Sequence, residues 1–190
     1  MAFQPFFLVV SLNLVLLAGV STAVSAEDAP WKQYSDPHHR FQIQYPETTK
    51  PETLTELEPG LQSRLVFQFE QSFHSAADAG SLQFRFQISV WQNTNHLSAE
   101  AWAKQNVKPQ FTLETRAIQI AGRKGVQVKT TNLAWTIVKT FVVDKDILYE
   151  LNYMDVSANK LLLPGDIRSN WAAVFQRMLE SFQILTTDAK

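Results

Sequence analysis

The sequence predicts an α+β domain, an antiparallel sheet of about six or seven strands flanked by helices, and three observations lead there. Runs such as Phe41-Gln42-Ile43-Gln44-Tyr45 and Leu82 to Val90 alternate apolar and polar side chains at the period of a half-buried strand. Between Thr112 and Asp155 four such runs follow one another across short turns, which demands pairing by antiparallel hairpins. Near the end, Ile167, Trp171, Val174, Phe175, Met178, Leu179 and Phe182 recur at spacings of three and four, the spacing of an amphipathic helix. A sheet with one wet face must cover its apolar face with such helices.

The elements follow in chain order. Trp31-Lys32-Gln33-Tyr34 reads as an entry segment, and Asp36-Pro37-His38-His39 as a turn. The strand beginning at Phe41 ends at Pro46, which has no N–H to give to a ladder. Residues 47–60, with Pro51, Pro59, Gly60 and several glutamates, read as an irregular surface segment. Strands are expected at Leu65-Val66-Phe67-Gln68-Phe69 and Leu82 to Trp91, joined by a flexible loop from Ser72 to Ser81. Ser98 stands where a helix N-cap belongs, with Glu100 in the first turn and Ala101, Trp102 and Val107 for the core face; Pro109 stops that helix. Strands at 113–120, 125–131, 135–143 and 147–154 are divided by turns at Ala121-Gly122-Arg123-Lys124 and Asp144-Lys145-Asp146. Pro164-Gly165-Asp166 opens the long final helix.

The first 26 residues carry no charged side chain and are dominated by apolar residues from Phe6 to Val20. They end in Val24-Ser25-Ala26 just before Glu27-Asp28. Such a stretch is too short to cross a hydrocarbon core of ~30 Å comfortably, and small side chains before the break suit a signal peptidase. Residues 1–26 therefore read as a signal peptide cleaved after Ala26, and residues 27–190 as one exported, periplasmic or secreted domain with no stable membrane span. The usual Lys or Arg near the N-terminus is missing, so retention of the leader as an anchor is the alternative.

Composition removes several function classes. There is no cysteine, hence no disulfide, thiolate metal site, cysteine nucleophile or lipid-modified N-terminal cysteine. The 17 Lys+Arg and 18 Asp+Glu leave a net charge of −1 without a long run of one sign, so nothing attracts nucleic acid. No cofactor is called for.

Several features together resemble PsbP-like domains, named after the extrinsic P subunit of the oxygen-evolving complex. They are the entry Trp31-x-x-Tyr34-x-Asp36 before Phe41-x-Ile43-x-Tyr45-Pro46, the hairpin Ile120-Ala121-Gly122-Arg123-x-Gly125, the strand Tyr149-x-Leu151-x-Tyr153, and the closing Phe175-x-x-Met178-Leu179-x-Ser181-Phe182-x-Ile184. The likeness spans nearly all of residues 27–190. It implies an α/β/α sandwich and a non-catalytic role, since exported relatives help assemble or stabilise membrane-bound complexes. Two departures stand out: no cysteine follows the leader, and Glu47-Thr48-Thr49 stands where a tryptophan usually follows the Tyr-Pro.

Candidate chemistry is sparse. Asp36, His38 and His39 have the donor types of a Zn or Mn site, but neighbouring histidines on a turn rarely converge, so a solvated turn is expected and no metal. His74 and Asp78 fall in the Ala-, Gly- and Ser-rich loop. Glu52, Glu56 and Glu58 are the residue type of a glycosidase pair, yet in an exposed Pro-rich segment solvation keeps such carboxylates ordinary. No Gly-x-Ser-x-Gly elbow is present, and Gly122-Arg123-Lys124-Gly125 is a strand-to-strand turn rather than a phosphate loop. Trp91 lies out of phase with the apolar side of its strand, and Trp135 opens another. Either they touch a partner protein or a sugar, or a helix covers that second face, which is the plainer reading. The expectation for the whole is an exported, non-catalytic binding or accessory protein serving an extracytoplasmic or membrane-associated complex. A small extracytoplasmic hydrolase using the loops at 36–39, 47–58 and 72–81, or a carrier of an apolar or lipid ligand among the Phe and Trp side chains, are the alternatives.

Overall fold

The computed structural model describes residues 29–36, 38, 41–54, 58–74, 79–131, 135–155 and 165–185. The predicted leader and its break at Ala26 lie outside the described residues, as do His39, Glu56 and Asp78. In chain order the elements are β1 (Trp31–Asp36), β2 (Phe41–Pro46), β3 (Pro51–Leu54), β4 (Leu61–His74), β5 (Ala79–Gln92), α1 (Ala99–Asn106), a 3₁₀ turn (Pro109–Phe111), β6 (Thr112–Ile120), β7 (Arg123–Thr131), β8 (Thr136–Asp144), β9 (Ile147–Met154), α2 (Gly165–Ser181) and β10 (Gln183–Ile184). Seven strands form one antiparallel sheet in the order β3-β4-β5-β9-β8-β7-β6, and β1, β2 and β10 form a second, smaller one. The predicted α+β architecture is the one observed; the main sheet has seven of the expected six or seven strands, and the second, three-stranded sheet is an addition to the expectation.

Three layers result. Because side chains alternate across a strand, Leu65, Phe67 and Phe69 of β4 share a face with Phe86, Ile88 and Val90 of β5 and with Tyr149 and Leu151 of β9. That face is covered by α2 and by β2 together. Phe175 of α2 meets the rings of Phe69, Phe86 and Tyr153 at 5.5–6.2 Å, while Phe41 and Tyr45 of β2 meet Tyr149 and Phe67 at 6.0 and 5.1 Å. On the opposite face α1 caps a smaller cluster of Val126, Val128, Phe141 and Leu148, using Ala99, Ala103 and Trp102. An eight-residue helix is unstable alone, so α1 depends on this packing and on its cap, where the Ser98 hydroxyl accepts from the Ala101 N–H at 3.1 Å.

Where sequence and structure differ, pairing with a partner strand is the reason. The entry segment is strand β1, paired along its whole length with β2 (Trp31↔Pro46 to Asp36↔Phe41). Within the expected irregular segment, Pro51–Leu54 pairs with Arg64–Phe67 as the edge strand β3. The expected loop from Ser72 to Ser81 is mostly strand, since β4 and β5 stay paired to His74↔Ala79. After α2 the chain returns to β2 through Gln183↔Gln42 and Ile184↔Phe41, and the Ser181 hydroxyl accepts from the Gln44 N–H at 2.9 Å. Turn chemistry matches expectation: Ala121 and Gly122 take φ of 50° and 71°, the two left-handed positions of a tight hairpin turn, and Arg123 pairs with Asp144 at 3.0 Å. Among the described residues no helix is long and apolar enough to cross a membrane.

One pH dependence follows from this packing. Tyr153 stacks on Phe86 at 5.6 Å beneath α2, and burial, aided by the nearby Asp155 carboxylate, pushes its phenol up to about 12. The unfolded chain loses that proton near pH 10 while the folded chain holds it. Stability from this group is therefore complete below pH 10 and is lost as the pH rises towards 12, by on the order of 2 kcal/mol. Urea titrations at pH 9 and 11.5 are expected to show that loss in the natural protein and less of it in Tyr153→Phe; equal losses in both would contradict the assignment.

Candidate binding trough

Helix α1 is too short to cover its face of the sheet. Beyond it, Arg64 of β4, Gln87 and Ser89 of β5, Glu150 and Asn152 of β9, and Lys139 of β8 point to the same side, brought together by the register Arg64↔Ser89, Ser89↔Glu150 and Lys139↔Asn152. All of these but Ser89, with Trp91, Trp102 and Asn106, line a groove of about 340 Å³. A second hollow of about 350 Å³ continues it along the same face past Gln83, Arg85, Ile137 and Met154, sharing Gln87 and Asn152. The two form one trough across β5, β9 and β8.

Its floor is polar and internally satisfied. Lys139 Nζ lies 3.0 Å from Glu150 Oε1, and Glu150 is buried. Arg64 Nη2 donates to Glu58 Oε1 at 3.1 Å, and Gln87 Nε2 donates to the buried Ser89 Oγ at 3.0 Å. A buried carboxylate of this kind persists only because a cation answers it. Such a floor offers both signs of charge and amide groups from Gln83 and Asn152, while the Asn106 amide nitrogen donates to the Trp102 carbonyl at 3.0 Å; this is the chemistry that hydrogen-bonds a polypeptide or another polar surface. At one end Trp91 packs on Trp102 with ring centres 5.9 Å apart, and the Trp91 indole N–H is buried without a hydrogen-bond partner.

Of the two tryptophans singled out from the sequence, Trp91 lines the groove and Trp135 lines neither hollow. Trp91 sits opposite Leu148, beside the end of β8, whereas the half-buried Trp135 precedes the start of β8, two residues before the trough residue Ile137. Trp91 therefore does lie partly under a helix. The charged floor was not legible beforehand: Arg64, Lys139 and Glu150 are far apart in sequence, and only their odd phase within apolar runs marks them.

Among the described residues the other candidates do not gather. The Asp36 carboxylate accepts from the His38 backbone N–H at 2.9 Å, the local turn bond of an Asp two residues upstream. Glu52, on β3, accepts from Gln68 at 3.1 Å, while Glu58 is spent on Arg64 in the trough wall. His96, not singled out from the sequence, pairs with Asp146 at 3.0 Å in an exposed turn. Among the described residues no group of three His, Asp or Glu side chains is placed to hold a metal ion.

No family model matches the chain, and no curated protein matches it. Among solved structures the chain is similar to cyanobacterial PsbP (CyanoP) from Synechocystis sp. PCC 6803, with a TM-score of 0.53 and 12% identity over 82% of this chain and 93% of that one. It is also similar to a protein from Bacteroides thetaiotaomicron (TM-score 0.48, 13% identity, 84% of this chain and 50% of that one). A third is a protein of unknown function, a putative regulator, from Pseudomonas aeruginosa (TM-score 0.39, 14% identity, 85% and 100%). The fold is PsbP-like.

Proposed function

We propose that this PsbP-like domain is an exported accessory protein that works by docking a protein partner of an extracytoplasmic or membrane-associated complex, without catalysis, in the trough that runs from Trp91 to Ile137. The observation that carries the reading is the trough: a polar floor of paired charges on the open part of the sheet, with Trp91 and Trp102 at one end. Aromatic anchors around a polar floor suit a protein surface, because Trp supplies hot-spot area while paired charges fix orientation. The uncharged leader and the PsbP-like fold support the same reading, as PsbP-like relatives serve membrane-bound complexes.

The test is co-isolation after mild crosslinking in cells expressing the full chain. The same partner is expected in every replicate, and its recovery is expected to fall roughly tenfold or more when Arg85→Glu is combined with Asn106→Arg. Both positions are exposed, so the melting temperature should stay put. The isolated chain is expected to begin at Glu27 by intact mass. No reproducible partner, or one recovered equally by the double variant, would contradict the proposal.

A further inference from the structure

The two edges of the large sheet are built differently. At one edge β3 is four residues long and begins with Pro51, features that blunt an edge against further pairing. At the other, β6 (Thr112–Ile120) has no proline, glycine or lysine; its register shifts once, between Thr112 and Glu114, and from Glu114 to Ile120 it pairs with β7 without interruption, with Glu114 to Ala117 all exposed. That regular stretch is long enough to be a template for another strand. Apolar surface gathers at the same place. Phe111 and Leu113 are 42% and 60% exposed, two of the three large exposed hydrophobics among the described residues. Beside them an apolar hollow of about 440 Å³ opens between α1 and β7, lined by Val107, Pro109, Val126 and Val128.

The geometry points to a second copy of this chain as the occupant, its β6 paired antiparallel with this one about a two-fold axis through Thr115, which joins the two large sheets into one. The argument is charge register. With Thr115 on the axis, Glu114 of each copy stands opposite Arg116 of the other, twice over by symmetry, and gives a carboxylate to a guanidinium that within its own sheet donates only to the neutral Gln127 Oε1, at 2.6 and 2.9 Å. Shifting the axis to Glu114 or to Arg116 sets two like charges against each other, which is unfavourable. The strand is thus self-complementary in one register, and that register carries the exposed apolar residues at the head of β6 onto the partner copy. This pairing uses the sheet edge and does not rest on the trough.

The test is sedimentation velocity on protein purified from cells expressing the full chain, over about a hundredfold range of concentration. The natural protein is expected to dimerise reversibly. Glu114→Arg and Arg116→Glu each turn both cross-pairs repulsive, and each is expected to raise the dimer dissociation constant roughly 10- to 100-fold. Mixed together, the two single variants become complementary and are expected to form a heterodimer, and the double variant is expected to dimerise as the natural protein does. Should either charge variant fail to fold, Leu113→Lys decides, because that side chain is exposed and its replacement should weaken the dimer without unfolding the domain. A monomer at every concentration overturns the inference and leaves the edge to a strand of a different chain. Undiminished dimerisation of the single variants, or of Leu113→Lys, overturns it as well, as does a mixture of well-folded variants that stays monomeric.

Discussion

Phe175→Ala is expected to destabilise the domain by about 3–5 kcal/mol, the range for emptying a fully buried aromatic site. Phe175 has no exposed surface and stands where three layers of rings meet: Phe69 and Phe86 in the sheet, Tyr153 beside them, and Trp171 one turn earlier on α2, all with centres within 6.2 Å. Collapse around the void is limited, because Phe69 and Phe86 are held by paired strands and Trp171 by the same helix. Since domains of this kind have only about 5–15 kcal/mol in total, the urea midpoint should fall by about a fifth or more at unchanged slope. A loss below about 1 kcal/mol would mean that α2 does not hold the sheet as described.

Gly125→Ala is expected to cost about 2–3 kcal/mol, for the opposite reason: there is no room to add anything. A Cβ at Gly125 would stand 2.7 Å from the Phe141 carbonyl oxygen and 3.4 Å from the Ile120 side chain. The obstructing atom is backbone in β8, which is held on both sides by β7 and β9, so relief requires a whole strand to move. At Gly122 the space is open, and the cost of a side chain there comes only from its φ of 71°. Thermal melts of Gly125→Ala and Gly122→Asn should therefore differ clearly, since Asn accepts left-handed backbone; equal melting temperatures would contradict the steric account.

Local chemistry made most of the fold legible in the sequence. Alternation in Leu82 to Val90 and in the four runs after Thr112, the hydroxyl of Ser98 and the three-and-four spacing up to Phe182 each act over a few residues, and each produced the element expected. β1, β3 and β10 escaped notice for a common reason. Lys32, Glu52 and Gln183 face water on short edge or peripheral strands, where pairing with β2 or β4 does the work that burial does elsewhere, and for β10 that partner lies far back in the chain. The trough escaped for a similar reason. Trp91 could be seen out of phase, but Arg64, Lys139 and Glu150 become a site only through the β4-β5-β9-β8 order, which joins strands that are not neighbours in the chain.

The most direct measurement of the docking claim is residue-resolved photocrosslinking in cells, with benzoylphenylalanine placed at the exposed trough positions Gln83, Arg85 and Asn106 and, for comparison, at Gln176 and Glu180 on the solvent side of α2. One partner band from the three trough positions and none from α2 is the predicted result. Adducts confined to α2, or the absence of any adduct from the trough, would contradict the account.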